Sequence, residues 1–150
     1  MLQRLNRREA LTAGAGALAA GLGLAAGPAH ALNDYADQIK KFTGGKVPVE
    51  GGLKLELPEL AENGNTVPLS VTVDGPMGEG TYVQEILVVA PANPNARVIR
   101  FRFSPASVPE ASTRIRLAET QDVVAVAQLS DGTFRQISRQ IKVTIGGCGG

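Results

Sequence analysis

From Val47 onward, apolar and polar residues alternate with a period of two. Leu53, Leu55 and Leu57 alternate with Lys54 and Glu56, and Val67, Leu69, Val71 and Val73 with Ser70 and Thr72. That spacing puts one set of side chains on each face of a half-buried strand. Val83–Ala90 is a denser apolar run, suited to a central strand. Val98–Phe103 and the stretch around Ile115 and Leu117 predict two more strands, and Asp122–Leu129 (DVVAVAQL) is strongly β-prone. A last strand runs from Thr133 to Ile145, with an irregularity expected near Gln136–Ser138, where the alternation slips. Pro68 predicts that its strand starts late or lies at an edge, because proline cannot donate to a ladder. Turn signals separate the runs at Glu62-Asn63-Gly64-Asn65, Asp74-Gly75-Pro76, Pro91–Asn95, Ser104–Ser107 and Ser130-Asp131-Gly132.

Only one stretch of the mature chain has the helical period. Leu32, Tyr35, Ala36, Ile39 and Phe42 fall on one face of a short helix, about residues 33–43. Asn33 or Asp34 can cap it, and Gly44-Gly45 stops it. About seven short strands and a short helix predict an all-β fold, an immunoglobulin-like antiparallel β-sandwich. With one Cys and no Trp, that sandwich has neither the inter-sheet disulfide nor the buried Trp of antibody domains.

Residues 1–31 change the picture of where the chain works. Arg4, Arg7 and Arg8 precede an uncharged Ala/Gly/Leu run from Ala10 to Ala26, and Ala29-His30-Ala31 fits a small-x-small cleavage pattern. The run is too weakly hydrophobic for a membrane span. Removal after Ala31 is expected, with Leu32 as the first mature residue. The adjacent Arg7 and Arg8 are of the twin-arginine type, which exports folded proteins to the periplasm, although Glu9-Ala10 departs from the usual pattern. The leader carries three of the 15 basic and one of the 14 acidic residues, so the remainder is close to neutral. A neutral domain gives no sign of nucleic-acid or membrane binding. The expected organisation is a signal peptide at 1–31, a sandwich domain at 32–145 and an arm at 146–150.

Cleavage also removes His30, the only histidine. A Ser-His-Asp or Cys-His nucleophile pair is then impossible, as is a His-based metal site, so no catalytic residue, metal or cofactor is expected. The one group left for covalent chemistry is Cys148, the sole cysteine, flanked by Gly146, Gly147, Gly149 and Gly150. Such a run is expected to be a flexible arm. Five residues past Ile145 reach at most about 17 Å and average roughly 12 Å as a coil, enough to enter a partner's cleft, and glycine keeps the profile thin. Lys142 is the nearest cation in sequence, and the terminal carboxylate opposes ionisation, so the thiol is expected to stay mostly protonated. That suits a carrier thiol better than a nucleophilic catalyst.

The tail Lys142–Gly150 (KVTIGGCGG) resembles the C-terminus of the SoxY family of thiosulfate-oxidising systems. The likeness continues through Glu62-Asn63-Gly64, Val67-Pro68, Val73–Met77, Asn93-Pro94-Asn95, Phe103–Ser107 and Ser112–Gly132, with Gly75 a departure where Ser would be expected. The resemblance implies a periplasmic, non-enzymatic sulfur carrier. Cys148 would be coupled to thiosulfate by a c-type cytochrome enzyme, giving a cysteine S-thiosulfonate. A hydrolase would release sulfate and leave a persulfide, and a molybdenum-haem sulfane dehydrogenase is a further implied partner. It also implies a heterodimer with a SoxZ-like subunit that lacks its own signal. Two alternatives from other classes are a periplasmic binding module that uses Cys148 for an intermolecular disulfide, and a ubiquitin-like carrier that holds sulfur as a thiocarboxylate on Gly150.

Overall fold

Two sheets form where the period-two pattern predicts them. The structure, a computed structural model, describes residues 34–75 and 80–147. The expected leader, with Arg7, Arg8 and Ala31, lies outside the described residues. The first element is helix α1 (Tyr35–Thr43), followed by nine strands: β1 (Val49–Glu50), β2 (Leu53–Glu56), β3 (Leu60–Asn63), β4 (Val67–Val73), β5 (Val83–Val89), β6 (Arg97–Arg102), β7 (Glu110–Ile115), β8 (Gln121–Leu129) and β9 (Phe134–Ile145). The larger sheet has the order β1-β9-β8-β5-β6, with β3 also on β9; the smaller has the order β2-β4-β7.

The core lies between the sheets. Leu53, Leu55, Val67, Leu69, Val71 and Ile115 of the smaller sheet meet Val83, Ile86, Val88, Val123, Ala125, Ala127 and Ile141 of the larger. Burial of so many branched side chains, each worth about 1.5–3 kcal/mol, holds the sandwich without a disulfide among these residues. The dense run in β5 has its explanation here. Its ladders to β6 and β8 make it central, and Leu87 and Val89 are buried although they stand outside the inter-sheet core. They belong to the other face of the larger sheet, where α1 packs.

The same two-faced burial corrects the expectation for β9. Its register with β8 is unbroken from Phe134 to Ile141, so there is no irregularity at Gln136–Ser138. The alternation slips because Phe134 packs under α1, while Ile137, Ile141 and Val143 pack on the inter-sheet core. The register shifts lie in β5 instead, at Val83/Glu85 and Val88/Val89.

Two short strands were not legible as strands. β1 and β3 run parallel to β9 along the edge not taken by β8, against the expectation of a wholly antiparallel sandwich. Between them the chain crosses to the smaller sheet as β2, through Gly51 and Gly52 at φ 91° and 75°. Those left-handed conformations favour glycine. Pro68 sits inside β4, the middle strand, yet the β2 ladder stops at Ser70, so Pro68 is locally at an edge. Helix α1 ends at Gly44 as predicted, and only Ile39, Phe42 and Thr43 of its second half are drawn under cover; Tyr35 and Ala36 remain exposed.

Candidate functional site

The last turn of sequence before Cys148 is held, not free. β9 carries the chain to Ile145, with β3 along one edge: Leu60 opposes Lys142, Ala61 opposes Val143 and Asn63 opposes Ile145. The Lys142 amide donates to the Glu59 carbonyl at 3.0 Å. On the other edge the pairing with β8 stops at Gln121, the first residue of that strand, and the Thr120 hydroxyl continues it by accepting from the Val143 amide at 2.9 Å. The strand is thus bonded on both sides as far as Val143.

Beyond Ile145 the hold continues through main-chain groups. The turn at Asn63–Asn65 is closed by the Asn63 side chain, whose Oδ1 accepts from the Asn65 amide at 2.9 Å. Its Gly64 amide donates to the Ile145 carbonyl at 2.7 Å, and its Gly64 carbonyl accepts from Leu117 at 2.8 Å. The Leu117 carbonyl in turn accepts from the Gly147 amide at 2.8 Å. Gly64 and Gly147 are buried against each other.

The glycines are required by closeness. A Cβ on Gly146 would stand 2.0 Å from the Ala118 carbonyl oxygen, and one on Gly64 2.2 Å from that of Leu117. A Cβ on Gly147 would be 2.8 Å from the Gly64 oxygen. Contacts under 3 Å between carbon and a backbone oxygen are not tolerated, so any side chain here opens the slot. Gly146 and Gly147, expected as part of a flexible arm, stand in close approach to Ala118 and Gly64. A neutral amide–carbonyl bond such as that from Gly147 to Leu117 contributes about 1 kcal/mol net. Cys148, Gly149 and Gly150 lie outside the described residues, and Cys148 is the next residue along the chain.

A buried polar node backs the slot. Asn93 Nδ2 donates to the Arg116 carbonyl at 2.9 Å, and Asn93 Oδ1 accepts from the Ala118 amide at 2.9 Å. Gln121 fixes Asn93 by donating from Nε2 to the same Oδ1 at 3.1 Å, while its Oε1 accepts from the Ala92 amide at 2.8 Å. The segment 116–118 is thus bonded on both edges like a central strand, to Asn93 on one side and to Gly64 and Gly147 on the other. Gly64, Asn93, Leu117, Thr120 and Gln121 were not read as site residues. The signal available was that Glu62–Gly64, Asn93–Asn95 and Ser112–Gly132 all fall within the stretches that carry the family likeness.

Two arginine pairs at i and i+2, Arg100/Arg102 and Arg114/Arg116, are surface features. Arg100 and Arg102 both approach Glu85, at 3.2 and 3.3 Å. Arg114 and Arg116 are exposed and join Arg97 along an open cleft of about 320 Å³ between β6 and β7. Among the described residues, no group of three or more His, Cys, Asp or Glu is placed to hold a metal. No helix among them is long and apolar enough to cross a membrane.

Comparisons with known proteins agree with the geometry. A family profile described as "Sulfur oxidation protein SoxY" matches residues 39–148. The solved structure of the sulfur carrier protein SoxY from Chlorobium limicola f. thiosulfatophilum is 34% identical, with a TM-score of 0.61, and the match covers 73% of this chain and 96% of that one. A superoxide reductase (neelaredoxin) from Ignicoccus hospitalis aligns at TM-score 0.54 and 19% identity, covering 62% of this chain and 80% of its own. A putative superoxide reductase from Thermotoga maritima gives the same score and identity, covering 68% and 89%. These two share the fold alone. Curated proteins yielded no match.

Proposed function

The chain belongs to the SoxY family of sulfur oxidation proteins, and from that premise we propose that it is a covalent sulfur carrier with Cys148 as the attachment point. The observation that supports this most directly is the mount. The sole cysteine follows immediately on a diglycine packed closely against backbone carbonyls, with the Gly147 amide bonded to Leu117. A thiol so placed is presented to other proteins and left for them to activate.

In the first step the Cys148 thiol loses its proton and forms an S–S bond to the sulfane sulfur of thiosulfate. The electron pair released passes to a c-type cytochrome enzyme, and the product is a cysteine S-thiosulfonate. Water then attacks the terminal sulfone under a hydrolase, sulfate leaves, and Cys148 keeps a persulfide. A molybdenum-haem dehydrogenase oxidises that outer sulfur with water as the oxygen source, and a second hydrolysis restores the thiol. The sulfane sulfur stays bound to Cys148 until the second hydrolysis releases it as sulfate. The carrier works in the periplasm as a heterodimer with a SoxZ-like subunit, exported already folded through the twin-arginine route signalled by Arg7 and Arg8.

Intact-mass analysis of the exported protein from thiosulfate-oxidising cells tests this. The expected result is a set of adducts of sulfur and of thiosulfate that disappear in Cys148→Ala, together with thiosulfate oxidation. Unmodified protein with a variant that still supports oxidation overturns the reading. A stoichiometric Cys148 disulfide dimer that no reductant-free preparation lacks would replace it with the binding-module alternative.

A further inference from the structure

We propose that Gly64 and Asn93 are positioning residues for Cys148, and that the end of the sandwich around them is the face a loading enzyme must meet. The proposal rests on the carrier reading for what the thiol does; the seat of Gly147, the residue before it, follows from the geometry. Successive residues of an extended segment aim their main-chain groups to opposite sides. Leu117 gives both of its groups to Gly64 and Gly147, while Arg116 and Ala118 give theirs to the Asn93 amide. Asn93 stands in for a missing neighbouring strand. Without it, the segment that accepts the Gly147 amide has no backing on its far edge.

The consequence is a change of reach. A chain free from Ile145 onward could carry Cys148 well clear of the sandwich. Seated at Gly147, the arm leaves a single peptide bond, about 3.8 Å between Cα atoms, before Cys148. An enzyme that takes up the thiol in this state must come against the Asn63–Asn65 turn, the 116–120 segment and Ile145. Ile145 is 65% exposed although it is a large apolar residue two positions from the seat. Asn65, Glu119 and Thr120 are exposed around it.

The four glycines provide the test, using the full mature chain with its SoxZ-like partner. Exchange of the Gly147 amide is followed by NMR, and the motion of a nitroxide on Cys148 by electron paramagnetic resonance. Gly146→Ala is expected to speed Gly147 exchange about fivefold or more, the loss of about one hydrogen bond, and to sharpen the nitroxide lines. Gly149→Ala is expected to change neither, and the thermal midpoint to stay unchanged in both. Asn93→Asp, which keeps the acceptor for Ala118 and loses the donor to Arg116, is expected to speed Gly147 exchange while the sandwich stays folded. Equal responses at Gly146 and Gly149, or a Gly147 amide that exchanges unprotected in the unaltered protein, overturn the seat. For the face, Asn65→Arg is expected to raise the loading enzyme's KM for this carrier several-fold with kcat unchanged. Ser112→Arg, on the ladder of the smaller sheet, is expected to leave both constants alone; equal effects overturn the face. Absence of sulfur adducts on Cys148 would count against the carrier reading and leave the exchange and nitroxide results standing.

Discussion

The two ends of β9 are held by different physics. At its start, the Phe134 ring is buried and meets the Phe42 ring of α1 edge-on, with centroids 5.9 Å apart. The Lys46 ammonium lies 6.0 Å from the Phe134 centroid, and the Arg100 guanidinium 5.3 Å from that of Phe42. At its finish there is no large side chain beyond Ile145, only glycines, carbonyls and one hydroxyl. Aromatic burial is strong and insensitive to small shifts. A main-chain slot is weak, needs atoms to be absent, and is thin. The first end suits anchoring a domain, and the second suits mounting a group that other proteins must handle.

The contrast breaks first at Phe134. Phe134→Ala is expected to lower the unfolding free energy by about 3–5 kcal/mol, the usual cost of deleting a buried aromatic side chain, read from the urea midpoint. A cost below about 1 kcal/mol, the scale of a surface change, would mean that α1 does not anchor this end. Asn93→Ala comes next. It leaves the Arg116 carbonyl and Ala118 amide without partners and is expected to cost about 1–3 kcal/mol, with the loss of Gly147 amide protection that Phe134→Ala does not share. Gly146→Ala should fall within about 0.5 kcal/mol of the unaltered protein in global stability, as for a surface change.

The smallest effect belongs to pH at the β8–β9 hairpin. The Thr133 hydroxyl and amide donate to the Asp131 carboxylate at 2.6 and 2.9 Å and hold its ionisation below the ordinary carboxylate range. A depressed carboxylate stabilises the fold above its unfolded value, near 3.9, and the stabilisation is lost as pH falls through the folded value. Acid titration should therefore loosen the turn at Thr133 while the protection of the Gly147 amide relative to an unfolded peptide at the same pH stays unchanged. Asp131→Ala is expected to abolish the pH dependence at Thr133.

Much of this was legible in the sequence. The apolar patterns located six of the nine strands and touched β7 only at its end, Ile115, and Gly44-Gly45 located the end of α1. What escaped had no pattern to read. β1 is two residues long, and β3 buries only Ala61. The slip in β9 comes from burial on two faces, which mimics an irregularity in a single sequence. The site was half visible. Cys148 stood out as the sole thiol, but a diglycine reads alike whether it is free or packed against a carbonyl. Only the approach of Ala118 and Gly64 in three dimensions separates the two cases. Asn93 looked like a turn residue, and its side chain turned out to pair with a segment 23 and 25 residues later.

The central claim is that sulfur rides on the residue next to the seat. Trypsin cuts after Lys142 and frees Val143–Gly150, a peptide that contains the only cysteine. Mass spectrometry of that peptide, taken from protein exposed to thiosulfate with its coupling enzyme and an electron acceptor, reads the claim directly. The predicted result is a Cys148 peptide carrying thiosulfate, converted to one carrying a single sulfur atom when the hydrolase is added. A peptide that stays unmodified while thiosulfate is consumed would contradict it.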